Sequence, residues 1–158
     1  MPKQFKALLL LFEIAAAVLL SSCILQLWDI KTPPYAITKP VYRIAGPDDV
    51  CTLGGVFFDF YNKSEKEVIF IETCMNVFDT QTGELAFSGA GQLTSISSCK
   101  IEKTQKKNLC ISLDEYLYKL ETNSLCVDNF FISKIEYNDG TSWQDKFGVY
   151  ANTYKEEA

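Results

Sequence analysis

Six cysteines and no histidine set the chemistry open to this 158-residue chain. Without imidazole there is no Ser-His-Asp or Cys-His catalysis, no His-ligated zinc and no histidine pH switch. The cysteines are Cys23, Cys51, Cys74, Cys99, Cys110 and Cys126, and no two stand at CxxC spacing. That argues against a zinc ribbon or a thioredoxin-type redox site. With Cys23 set aside, the other five can form at most two bridges and leave one thiol over. The alternative is that they stay unpaired as small buried hydrophobes. Cys99 and Cys110 flank a polar stretch and are the first expectation for a disulfide, with Cys74–Cys126 second; geometry decides, since a bridge needs Cα atoms within about 7 Å.

The acids give less. Asp48-Asp49 and Asp114-Glu115 are neighbours in sequence, and adjacent carboxylates in a loop or helix start point apart into solvent rather than converge on a substrate. There is no EF-hand spacing, Gly-rich phosphate loop or Gly-x-Ser-x-Gly elbow, so no catalytic residue, metal ligand or cofactor is assigned. Lys100, Lys103, Lys106 and Lys107 form a basic run with one acid, Glu102. It reads as a solvated edge guarded by lysines, with a small anion-contacting patch as the rival. Phe57, Tyr61, Phe70, Phe78 and Tyr137 could form an exposed stacking row, but filling the core of a β domain is the simpler use. Asn62-Lys63-Ser64 matches a glycosylation acceptor by pattern alone. The formal charge is −5 and spread along the chain, which argues against nucleic acid as a partner.

The segment that would position the whole chain is its beginning. Lys3 and Lys6 precede an apolar run from Ala7 to Leu20, interrupted only by Glu13, with the length of a signal-peptide h-region. Leu20-Ser21-Ser22-Cys23 follows directly. These four residues resemble the lipobox of bacterial lipoproteins: an aliphatic residue, two small residues and a cysteine. The resemblance covers the first 23 residues. It implies a diacylglyceryl group on the sulfur of Cys23, cleavage just before it and acylation of the new amine. The resemblance thus places the protein in the bacterial cell envelope, membrane-anchored and extracytoplasmic. Apolar character continues through Ile24, Leu25, Leu27 and Trp28, which keeps an uncleaved transmembrane helix from about Ala7 to Trp28 open. About 22 residues at 1.5 Å each would cross ~30 Å of hydrocarbon.

Beyond the anchor, Pro33, Pro34 and Pro40 forbid a helix and suggest an extended tether over residues 23–40. A single domain is expected over 41–150, with a frayed tail at 151–158. Val41–Ile44 reads as a short strand. In Val56–Tyr61, alternation puts Val56, Phe58 and Phe60 on one face. Glu67–Asp79 is the longest strand candidate, with Ile69, Ile71, Met75 and Val77 on a shared face. Leu85–Ser88 begins another, weakened by Gly89 and Gly91. Leu109, Ile111 and Leu113 alternate, and Asp114–Leu120 is the one helical turn expected in the domain. Asn129–Tyr137 precedes Asp139-Gly140, a signal for a two-residue type I′ hairpin.

This pattern predicts an all-β fold: an antiparallel immunoglobulin-like β-sandwich following an N-terminal apolar helix, with a small β-barrel as the alternative. The domain also loosely resembles small extracytoplasmic immunoglobulin-like domains of bacterial envelope proteins, which implies a fold rather than an activity. The functional expectation is a lipid-anchored, non-catalytic structural or interaction module. Its partners would be the membrane, through Cys23, and another envelope protein. An accessory subunit held by an uncleaved helix, and an unrecognised envelope hydrolase, are the other readings.

Overall fold

The computed structural model describes residues 32–87, 91–118 and 124–155. The chain divides into two compact units, Met1–Thr32 and Pro33–Ala158. Cys23 and the expected N-terminal helix lie outside the described residues. The described residues of the second unit are all-β apart from one helical turn.

Its strands are β1 (Tyr35–Ile37), β2 (Val41–Ile44), β3 (Gly54–Asn62), β4 (Val68–Asp79), β5 (Leu93–Ile101), β6 (Lys106–Ser112), β7 (Leu125–Tyr137) and β8 (Ser142–Gln144). The helical turn, α1, is Asp114–Leu117, with two acids in its first turn. All strand pairs are antiparallel. In the first sheet β3 is central: β1 and β2 pair with one side of it and β6 with the other. The second sheet runs β5-β4-β7-β8. Both sheets are open, so the described residues form no closed barrel, and that alternative is set aside.

Alternation along β3 explains the core. Val56, Phe58 and Phe60 are at most 3% exposed and belong to one apolar cluster with Ile71, Met75, Ile111, Phe130, Ile132 and Ile135. Residues of both sheets contribute, and the rings of Phe58 and Phe130 meet edge-on with centroids 5.0 Å apart. Phe57, on the opposite face of β3, is also buried. The Arg43 guanidinium covers its ring at 3.5 Å. Tyr137 is buried as well, so the suggested aromatics do not make an exposed row.

Several expectations need correction. Residues 33–40 are not a tether. Tyr35 and Ile37 are each 3% exposed, and β1 pairs with the end of β3 through Tyr35↔Asn62 and Ile37↔Phe60. β2 resumes pairing at Val41↔Phe57. Three residues on one strand therefore face two on the other. Pro40, which cannot donate to the ladder, sits in this bulge. The expected tail is docked through residue 155: Asn152 donates its backbone N–H to the Phe130 carbonyl and Lys155 donates to that of Ile37. Ile69 is not on the core face. The β4 register shifts between Val68 and Phe70, turning Val68 inward (0% exposed) and Ile69 outward (38%). Of the strand expected at Leu85–Ser88, the described part makes one bridge, Phe78↔Leu85.

The β7–β8 hairpin is present, but its turn is not type I′. Gly140 has φ +80°, while Asn138 and Asp139 keep negative φ. The Gly140 N–H bonds to the Tyr137 carbonyl and the Tyr137 N–H to that of Thr141, a three-residue loop closed by a left-handed glycine. The Asp139 carboxylate favours this form, accepting from the Thr141 N–H at 3.0 Å and pairing with Lys66 at 2.7 Å.

Phe130 is fully buried, so Phe130→Ala should destabilise the domain by about 3–5 kcal/mol. Ile96→Ala, at a position 62% exposed, should change stability by less than about 0.5 kcal/mol. Urea unfolding of the two variants beside the parent measures both.

Candidate functional site

Two of the five described cysteines meet at one place, the rim of the first sheet where the 45–53 loop enters β3. Cys51 ends that loop and Cys110 lies on β6. The Cys110 thiol points at the Cys51 sulfur, 3.5 Å away. Cys51 is 4% exposed and Cys110 partly exposed. Burial, together with the neighbouring Cys51, pushes the Cys110 thiol up to about 12. At neutral pH it is therefore a poor nucleophile.

Three local features hold the two sulfurs together. Arg43 on β2 forms a two-pronged ion pair with Asp49, at 2.5 and 2.8 Å. Asp49 also accepts from the Gly46 N–H, and the Arg43 contact holds its carboxyl below the usual range. On the other side of Cys51, the Asp114 carboxylate at the start of α1 accepts from the backbone N–H groups of Thr52 (2.8 Å), Leu53 (2.7 Å) and Gly54 (3.3 Å). Those hydrogen bonds, from Thr52 and Leu53 foremost, lower its pKa to about 2. Beneath the pair runs Gly55. A Cβ there would lie 2.9 Å from the Cys110 sulfur, 3.2 Å from that of Cys51 and 2.7 Å from the Ile111 carbonyl oxygen. Only glycine leaves room for both thiols at this strand position.

The bridge expected between Cys99 and Cys110 is not the contact formed. Cys99 lies on β5 of the second sheet and Cys110 on β6 of the first, because the chain crosses between sheets at residues 102–105. The second guess also fails: Cys74 is paired with Phe131 and Cys126 with Phe78. Four residues of strand separate them, about 13 Å and beyond bridging distance. All five described cysteines carry free thiols. The importance of Cys51 was not legible beforehand; the only local signal was Gly54-Gly55 shortly after it.

Other candidates resolve into structural roles. Lys100 pairs with Glu67 and Glu102, Lys103 with Glu65, and Lys106 with Asp59, so the basic run neutralises its own neighbours. Asn62 is fully buried; its amide donates to the carbonyls of Lys66, Ile101 and Glu102 and its oxygen accepts from Ser64, leaving no glycosylation acceptor at the surface. Asp145, 5% exposed, accepts from the backbone of Phe147, Val149 and Tyr150 and shapes the loop before the docked C-terminal segment. A cleft of about 260 Å³ lies between β1 and that segment, floored by Tyr35 and Ile37 and edged by Lys63 and Lys155. A second, of about 280 Å³, opens beside Met75, Leu93, Ile111 and Tyr116. Among the described residues no group of three His, Cys, Asp or Glu side chains could hold a metal ion, and no helix is long and apolar enough to cross a membrane.

Two outcomes follow for this rim. Gly55→Ala should cost about 1–3 kcal/mol, read by urea unfolding, because its Cβ overpacks backbone and sulfur. The lowered pKa of Asp114 adds stability that is complete above its unfolded value of about 4 and is lost as pH falls through about 2. Asp114→Asn should therefore flatten the acid limb of the stability–pH curve over that window, while the parent keeps its slope.

No family model matches the chain and no curated protein matches it. Among solved structures, it is similar to a hypothetical protein from Peptoclostridium difficile 630, with a TM-score of 0.49 and 12% identity. That likeness covers 73% of this chain and 88% of the other.

Proposed function

We propose that the chain is an extracytoplasmic lipoprotein of the bacterial envelope, held to the membrane by a diacylglyceryl group on Cys23. Its β domain acts as a non-catalytic structural or protein-interaction module. The observation that supports this reading is that the β unit starts at Pro33, ten residues beyond Cys23. A lipobox cysteine that close to a compact unit suits a lipid-tethered module.

The domain itself reads as an immunoglobulin-like β-sandwich. Two antiparallel sheets share one buried cluster. In immunoglobulin lettering, β1 and β2 stand for strand A, split by the bulge at Pro40, with β3 as B, β4 as C, β5 as C′, β6 as E, β7 as F and β8 as G. The sheets then read A-B-E and C′-C-F-G, the order in which the strand after C joins the C edge. Among the described residues no Cys pair joins the sheets and Trp143 follows every cysteine, so the proposed likeness is to the architecture and not to an antibody domain.

An interaction role is favoured by the surface around β2, an edge strand. Val41 and Ile44 on it are each 55% exposed, and Val50 and Leu53 in the following loop are 91% and 41% exposed. An edge with open backbone groups and apolar side chains suits pairing with an extended segment of another envelope protein. Among the described residues, Asp49, Asp59, Asp114 and Asp139 are held low by hydrogen bonds and cations, which lends no support to the hydrolase reading.

Mass spectrometry of the purified N-terminus tests the anchor. The expected species begins at Cys23 and carries the mass of a diacylglyceryl group, and Cys23→Ser should abolish both cleavage and lipid. A chain beginning at Met1 would instead favour the uncleaved membrane helix, the reading supported by the apolar residues up to Trp28.

A further inference from the structure

The structure assigns Cys51 and Cys110 as a disulfide-forming pair that locks the 45–53 loop onto β6. Their sulfurs are 3.5 Å apart, so closure to a bond of about 2.05 Å requires an approach of about 1.5 Å, a side-chain adjustment. The backbone on both sides of Cys51 is already fixed, by Arg43–Asp49 before it and by Asp114 after it. Gly55 supplies the slot, since any Cβ there would occupy the space the two sulfurs share. No other described cysteine has a sulfur within contact of another.

Oxidation proceeds by thiol–disulfide exchange with an incoming disulfide, either a low-molecular-weight disulfide or that of an oxidoreductase. The partly exposed Cys110 loses its proton and its sulfur attacks the incoming disulfide, forming a mixed disulfide and releasing one thiolate. Cys51 then loses its proton, attacks the Cys110 sulfur and expels the second thiolate. The protein gives up two protons and two electrons; the incoming disulfide is reduced to two thiols. Burial of the Cys110 thiol makes the first step slow near neutrality, so mildly alkaline conditions suit the experiment. Oxidation in the cell rests on the extracytoplasmic placement proposed above, because reducing compartments keep such pairs as thiols.

The test is oxidation of the full-length chain with oxidised glutathione at mildly alkaline pH, followed by alkylation, proteolysis without reductant and mass spectrometry. The expected result is one cross-linked species joining the Cys51 and Cys110 peptides, with Cys74, Cys99 and Cys126 alkylated. Oxidised protein should also melt roughly 10 °C above the reduced form, since the closed loop is long. Cys99→Ala should leave the cross-link intact, and the Cys51→Ala/Cys110→Ala double variant should melt at the same temperature with and without oxidant. Alkylation of both Cys51 and Cys110 after oxidation, or a cross-link through any other described cysteine, overturns the assignment. Trapping thiols in intact cells reads the address separately. A pair that closes with glutathione but is found reduced in cells contradicts the extracytoplasmic placement and leaves the pairing standing.

Discussion

The contact between Phe58 and Phe130 is the point on which the two sheets depend. One ring comes from the centre of the first sheet and the other from the second, and they meet edge-on, the arrangement favoured by the ring quadrupole. Val56, Phe60, Ile71, Met75, Ile132 and Ile135 surround them at no more than 1% exposure. Each such side chain contributes about 1.5–3 kcal/mol when removed from water, which together outweighs any surface ion pair in the molecule. Bulges in β4 and β7 serve this contact by turning the right residues inward. Asn129 accommodates one of them with φ +49°, a conformation asparagine tolerates, and its amide bonds to Asn76 at 3.1 Å.

Buried polar groups cost a core least when they are hydrogen-bonded, and Asn62 shows how. Its side chain ties the β3–β4 turn to the crossover that carries the chain from β5 to β6. Tyr35 closes the domain's start through its ring instead, stacking on Phe60 at 5.6 Å and meeting Trp143 edge-on at 5.4 Å, while its buried hydroxyl finds no hydrogen-bond partner among the described residues. The first and last strands are thereby closed onto the same core. The result is a unit that starts at Pro33, with the 45–53 loop and its thiol pair held at one rim.

Much of this architecture was legible in the residues. Alternation identified β3 and its core face, and Val41–Ile44 was bounded correctly. The Asp-Gly signal placed a hairpin, because local turn chemistry acts within a few residues. What failed depended on partners distant in sequence. Proline argued for a tether at 33–40, yet Tyr35 and Ile37 have a buried face to occupy on β3, and burial outweighs local stiffness. A bulge, invisible to strict alternation, sent Ile69 outward. Cys51 and Cys110 are 59 residues apart and meet only because β3 pairs with β6. No spacing rule could select them over Cys99, which is nearer to Cys110 in the chain and belongs to the other sheet.

The proposed lipid attachment at Cys23 and a β unit that starts at Pro33 would together make a tethered module, and both parts of that proposal can be examined at once. A specific protease site placed between Asp29 and Pro33 would be cut on intact membranes, and the released fraction and its thermal unfolding midpoint recorded. The expected result is a soluble fragment beginning near Pro33 that unfolds at the midpoint of the uncut protein. A fragment that stays with the membrane, or one whose midpoint falls on cleavage, would contradict the account.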